Sequence, residues 1–140
     1  MFGRVTFLFL ALFAFQGLCV TEVWLDERNV DYIQSDLLGV SFSIAKWWFD
    51  TLEECHIIVP DGSRYEAYPN SNLPSHIFFM EAVQPFTSCS VGMRGVGVEH
   101  SGTYELLSLV RHSADNSQTL TRQKNNLTIR TVDLFPTSDS

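Results

Sequence analysis

The stretch from Cys89 to Val110, CSVGMRGVGVEHSGTYELLSLV, decides the fold of this 140-residue chain. Val91 and Met93 alternate with Gly92 and Arg94, the period-two pattern of a strand with one buried face. Beyond it Gly95 and Gly97 loosen the chain, and Ser101 with Gly102 supplies a turn in which glycine takes a positive φ without a Cβ clash. Tyr104, Leu106 and Ser108 then share one face of a second strand, while Glu105, Leu107 and Leu109 share the other. The glycines at 92, 95 and 97 run in the reverse order of a dinucleotide-binding fingerprint and read as flexibility at a strand end.

Outward from this segment the chain is a series of short strands divided by turns. Val40, Phe42 and Ile44 alternate with polar neighbours in a strand over 38–46, and Glu54–Val59 runs into the turn Pro60-Asp61-Gly62-Ser63. Further strands are expected near 22–25, 30–34, 64–68, 76–82 and 118–131, with a turn-rich loop over 68–74 and a hairpin loop over 113–117. This pattern predicts an all-β antiparallel sandwich of two packed sheets, without internal repeats.

The segment from Cys89 resembles the E-strand, turn and F-strand of an immunoglobulin domain, whose usual pattern is Leu-x-Ile-x-x-Val, a turn, then Asp-x-Gly-x-Tyr-x-Cys. His100 stands where that pattern has Asp, and Leu106 stands where it has the second core cysteine. The resemblance implies that Tyr104 forms the tyrosine corner, its ring buried and its hydroxyl bonded to nearby backbone. Ile44, 62 residues before Leu106, then occupies the first core cysteine's place, so both halves of the usual inter-sheet bridge are aliphatic. Ile57 falls near the position of the family's core Trp. With Cys19 discarded in a leader, Cys55 and Cys89 remain, and an oxidising compartment favours joining them as a relocated inter-sheet disulfide. This arrangement is similar to an extra-disulfide variant found in extracellular immunoglobulin domains of invertebrate adhesion and recognition proteins.

Residues 1–19 read as a secretory leader: Arg4 supplies the positive start, FLFLALFAF over 7–15 the apolar core, and Gly17 and Cys19 the small residues of a cleavage site. The apolar run is short of the roughly 20 residues that a membrane helix needs. The expected organisation is a leader at 1–19, an immunoglobulin-like domain at 20–133 and a polar tail at 134–140 with no membrane anchor. The whole chain carries a formal charge of −7; removing Arg4 from its nine basic residues leaves −8 against sixteen acidic ones. That charge offers no footprint for nucleic acid or anionic lipid, and Arg122, Lys124 and Arg130 read as a solvated strand face. Asn126-Leu127-Thr128 is an N-glycosylation sequon.

No nucleophile elbow, phosphate loop or zinc-protease motif is present, so no catalytic residue, metal ligand or cofactor is expected and the chain reads as a non-enzyme. Glu53 and Glu54 read as a solvated loop edge, and the four histidines as single surface or satisfied residues. Trp47, Trp48 and Phe49 between the second and third core strands are the first binding candidates: either they anchor a partner, or one Trp caps the core where Ile57 lacks an indole. Ile77, Phe78, Phe79 and Met80 cannot all face one side of a sheet, so Phe78 and Phe79 are candidates for a partner or homodimer surface. The expected function is a secreted module that recognises an extracellular or cell-surface protein in adhesion, signalling or humoral immunity. The alternative is a carrier or inhibitor in which Trp47, Trp48, Phe78 and Phe79 line a cavity for an apolar ligand.

Overall fold

The computed structural model describes residues 20–34 and 39–131; the expected leader at 1–19 and polar tail at 134–140 lie outside the described residues. Among the described residues the strands follow in order: β1 Val20–Trp24, β2 Arg28–Ile33, β3 Val40–Ala45, β4 Thr51–Ile58, β5 Arg64–Glu66, β6 Ile77–Phe79, β7 Ser88–Met93, β8 Gly102–Arg111 and β9 Gln118–Arg130. The larger sheet runs β1-β9-β8-β4-β5 with β2 also on β9, and the smaller sheet runs β3-β7-β6. A single 3-10 turn, Val98–His100, bridges β7 and β8.

The period-two faces meet between the sheets. Val40, Phe42 and Ile44 of β3 and Cys89, Val91 and Met93 of β7 are buried against Cys55 and Ile57 of β4 and Tyr104 and Leu106 of β8. Phe42 packs on the Tyr104 ring with centroids 5.8 Å apart. Tyr104 donates its hydroxyl to the His100 carbonyl at 2.6 Å, pinning the 3-10 turn to the strand that follows it. Gly102, at φ +149°, is required there, because a Cβ would lie 2.7 Å from Cγ of Pro60.

Cys55 in the larger sheet and Cys89 in the smaller one form a disulfide, with Cα atoms 5.4 Å apart, and both are fully buried. Ile44 pairs in register with Cys89, and Leu106 with Ile57; all four are core residues.

Several elements differ from the sequence expectation. Both N-terminal strands pair with β9 in parallel, β1 along 118–122 and β2 along 125–130, on a sheet whose other pairs are antiparallel. The strand expected at 76–82 spans only Ile77–Phe79, because Glu81 turns back to accept hydrogen bonds from Thr87 and Ser88. β4 begins earlier than expected, at Thr51, with a register shift between Leu52 and Glu54. Glu53 therefore sits in a strand rather than at a loop edge, ion-paired to Arg111 at 2.7 Å and accepting from Gln118. Gly92 is not loose chain at a strand end. It lies inside β7 with the Phe78 ring across it, and a Cβ there would meet Cζ of Phe78 at 2.5 Å.

Candidate functional site

The segment from Lys46 to Asp50 leaves β3 and returns into β4 through a closed turn. The Asp50 N–H donates to the Trp47 carbonyl at 3.0 Å, and the Lys46 ammonium donates to the carbonyls of Trp47 and Asp50. The turn is pinned inward by Asp50. Its buried carboxylate accepts from the His112 ring (Oδ2 to Nδ1, 2.8 Å) and from the Ser113 N–H (3.1 Å). Nε2 of His112 in turn lies 2.7 Å from Oγ1 of Thr119. Loss of water pushes the Asp50 carboxyl up, but the Ser113 N–H and the His112 ring outweigh that effect and hold it below the usual carboxylate range.

The hairpin loop on the other side of this tie is equally constrained. His112 N–H donates to the Ser117 carbonyl, and Asn116, in the left-handed region at φ 64°, donates to the His112 carbonyl. Asp115 accepts from both the N–H and the hydroxyl of Ser117. Two loops 62 residues apart are thus joined through one carboxylate. The groove next to Asp50, about 100 Å³, is lined by Thr51, Leu52, Gln84, Pro85 and Phe86 and does not include Thr119. The carboxylate–imidazole–hydroxyl chain ties the two loops together.

With Asp50 turned inward, the aromatic residues before it are forced out. Trp47 is 68% exposed, Trp48 74% and Phe49 48%, which removes the core-capping alternative. Leu52 and Phe86 close the core beneath the loop instead, and both are buried. The three rings form one cluster: Phe49 stacks on Trp47 at 5.9 Å and meets Trp48 edge-on at 5.4 Å. A rigid turn thus presents more than one aromatic ring to solvent, an arrangement suited to anchoring in a partner's pocket.

Phe78 and Phe79 do not join this cluster. Phe78 covers Gly92 on the outer face of the smaller sheet, with the Arg94 guanidinium 4.7 Å above its ring. Phe79 turns to the other side and packs against Phe86 and Tyr68. Both are half-buried, each with part of its ring engaged in intramolecular contacts. Phe78 over Gly92 and Phe79 against Phe86 thus point to opposite sides of the smaller sheet.

In the basic stripe on β9 Arg122 and Arg130 are ion-paired, while the Lys124 ammonium lies 5.8 Å from the Trp24 ring. Arg122 reaches Glu105 at 2.6 Å and Glu22 at 3.1 Å, and Arg130 reaches Asp31 at 3.0 Å. Trp24, which sequence reasoning passed over, lies across Arg122 with the guanidinium 4.4 Å from its ring. Nor are the histidines single: besides the His112 tie, the rings of His76 and His100 lie 4.2 Å apart. Desolvation and then the neighbouring His100 hold His76 below the usual imidazole range. Among the described residues no group of three or more His, Cys, Asp or Glu side chains is placed to hold a metal ion, and no helix is long and apolar enough to cross a membrane.

The topology of the two sheets is shared with solved structures. The chain is similar to the Ig1 domain of mouse SynCAM 2, with 14% identity and a TM-score of 0.52, covering 84% of this chain and 99% of that one. The fold is immunoglobulin-like. Murine CRIg is also similar, at 10% identity and a TM-score of 0.56, covering 74% of this chain and 92% of that one. No family model matches the immunoglobulin-like chain, and no curated protein matches it. In this immunoglobulin-like domain, the loop carrying Trp47–Phe49 and the hairpin loop over 113–117 lie side by side, tied by Asp50 and His112.

Proposed function

We propose that the chain is a secreted recognition module that binds an extracellular or cell-surface protein through the Trp47, Trp48 and Phe49 tip. The observation that carries this reading is the exposure of two tryptophans on a turn hydrogen-bonded at both ends, through Lys46 and Asp50. Large aromatic side chains in water carry an unfavourable hydration free energy that burial in a partner's pocket relieves, and a turn already held in shape loses little entropy on binding. The leader at 1–19 supports secretion, and adhesion, signalling and humoral immunity are the settings in which such a module acts. In this reading Ile44 and Leu106 replace the usual inter-sheet bridge, and Cys55–Cys89 supplies the covalent link between sheets.

The test is a binding screen of the secreted protein against extracellular domains, with self-association included as one arm, followed by substitution of the tip. Trp48→Ala removes a hot-spot side chain and is expected to weaken binding by about 30-fold or more. Its thermal midpoint should stay close to that of the parent, because the ring is mostly exposed. A partner bound equally well by the Trp47→Ala/Trp48→Ala double variant would overturn the assignment of the tip.

A further inference from the structure

The outer face of the larger sheet carries a second feature, at the opposite end from the aromatic tip. β9 leaves the hairpin loop at Gln118, and Asn126 lies eight residues further along it, about 26 Å away at strand rise. Asn126 and Thr128 share the outward face, because Gln123, Asn125, Leu127 and Ile129 are the buried set. Across the parallel pair Asn126 stands opposite Asn29, and Thr128 opposite Asp31. Together with Val30 and Arg130 these residues line an open groove of about 370 Å³.

We infer that Asn126 carries an N-linked glycan whose proximal N-acetylhexosamine lies in this groove. The inference rests on the secretory routing proposed above. The groove suits a sugar in its chemistry: Asn29, Asp31, Thr128 and Arg130 bring amide, carboxylate, hydroxyl and guanidinium groups to its walls, and the Val30 side chain between them on β2 packs toward the core. Arg130 and Asp31 form a two-point ion pair at 3.0 and 3.1 Å along one wall. Asn126 itself is held in a defined pose. Its carbonyl oxygen accepts from Thr103 at 2.8 Å, and its amide nitrogen donates to Glu27 at 3.1 Å and Asn29 at 3.0 Å.

The donor is a polyprenyl pyrophosphate-linked oligosaccharide of the secretory route. Nδ2 of Asn126 forms a bond to the anomeric carbon as the bond from that carbon to the phosphate oxygen breaks. The polyprenyl pyrophosphate leaves, and Nδ2 gives up one of its two protons. One N–H remains, so one of the two present donor contacts is kept and the other is exchanged for the sugar. A glycan here covers the outer face of β2 and the end of β9 while leaving the Trp47–Phe49 tip clear. Any partner is thereby confined to the loop end or to the remaining faces.

The experiment is expression of the full chain in eukaryotic secretory cells, with peptide mapping of Asn126 and N-terminal mass analysis to read leader removal separately. The wild-type protein and Thr128→Ser, which keeps the sequon, should shift in mobility on treatment with a peptide N-glycosidase. Asn126→Gln and Thr128→Ala should show no shift. Amide exchange over 29–31 should be slower in the glycosylated protein than in the same protein after enzymatic deglycosylation. A protein that has lost its leader but yields a bare Asn126 peptide overturns the modification and leaves the recognition reading standing. A protein that keeps its leader overturns the routing on which both rest. Equal exchange over 29–31 with and without the sugar overturns its placement in the groove.

Discussion

At the scale of single residues, Asp50 does more for the candidate site than any of the aromatic side chains. It is a buried carboxylate whose two oxygens are accepting from His112 and Ser113, so removing its charge leaves donors short of a partner in a desolvated place. Asp50→Asn is expected to cost about 1–3 kcal/mol in urea unfolding at neutral pH. Amides of residues 47–50 and 112–114 should exchange faster in that variant. The pH dependence has a definite sign. The folded Asp50 carboxyl is held below its ordinary value of 3.8, so its contribution is present above that value and is lost as pH falls through the folded pKa. Thermal midpoints measured downward from pH 5 should therefore fall less steeply in Asp50→Asn than in the parent. This tie was invisible to sequence reasoning, since nothing in the order of residues relates Asp50 to a histidine 62 positions later.

At the scale of elements, the alternation of large and small residues in β3, β7 and β8 was legible, and it places the core correctly. What alternation could not show was the state of the other face. β7 is buried on both sides, with Gly92 roofed by Phe78 and Ser90 bonded to the hydroxyls of Ser43 and Ser88. Gly92→Ala places a methyl group against that ring and should destabilise the domain by about 1–3 kcal/mol. Pairing it with Phe78→Ala should cost less than the two single changes added together, a non-additivity that a double-mutant cycle in denaturant would measure. The partner of β1 was likewise unreadable, because all five of its residues are exposed and carry no buried face to specify a sheet. Its place beside β9 comes from backbone pairing and from Arg122, which links Glu22 and Trp24 to the sheet.

At the scale of the whole molecule, two sheets of six and three strands are held by one core and one covalent link across it. A disulfide closing a 34-residue separation restricts the unfolded chain, and its removal by Cys55→Ala with Cys89→Ala is expected to cost about 2–5 kcal/mol. Unfolding in guanidinium with and without reductant measures the same quantity on the unmodified chain. The double variant should respond to reductant not at all, whereas the parent should lose stability.

From sequence alone came the two-sheet class, the identity of the inward residues of the central strands, the turn at Gly102 and the two cysteines left to pair. These are local or compositional properties, set by side-chain period, by glycine's freedom at positive φ and by counting. Tertiary structure alone decided that Trp47 and Trp48 face water while Asp50 faces in, that Phe78 lies over Gly92 while Phe79 packs on Phe86, and that Asn126 borders a polar groove. Each of those outcomes depends on which distant segment supplies the hydrogen bond or covers the face, and chain order does not encode that proximity.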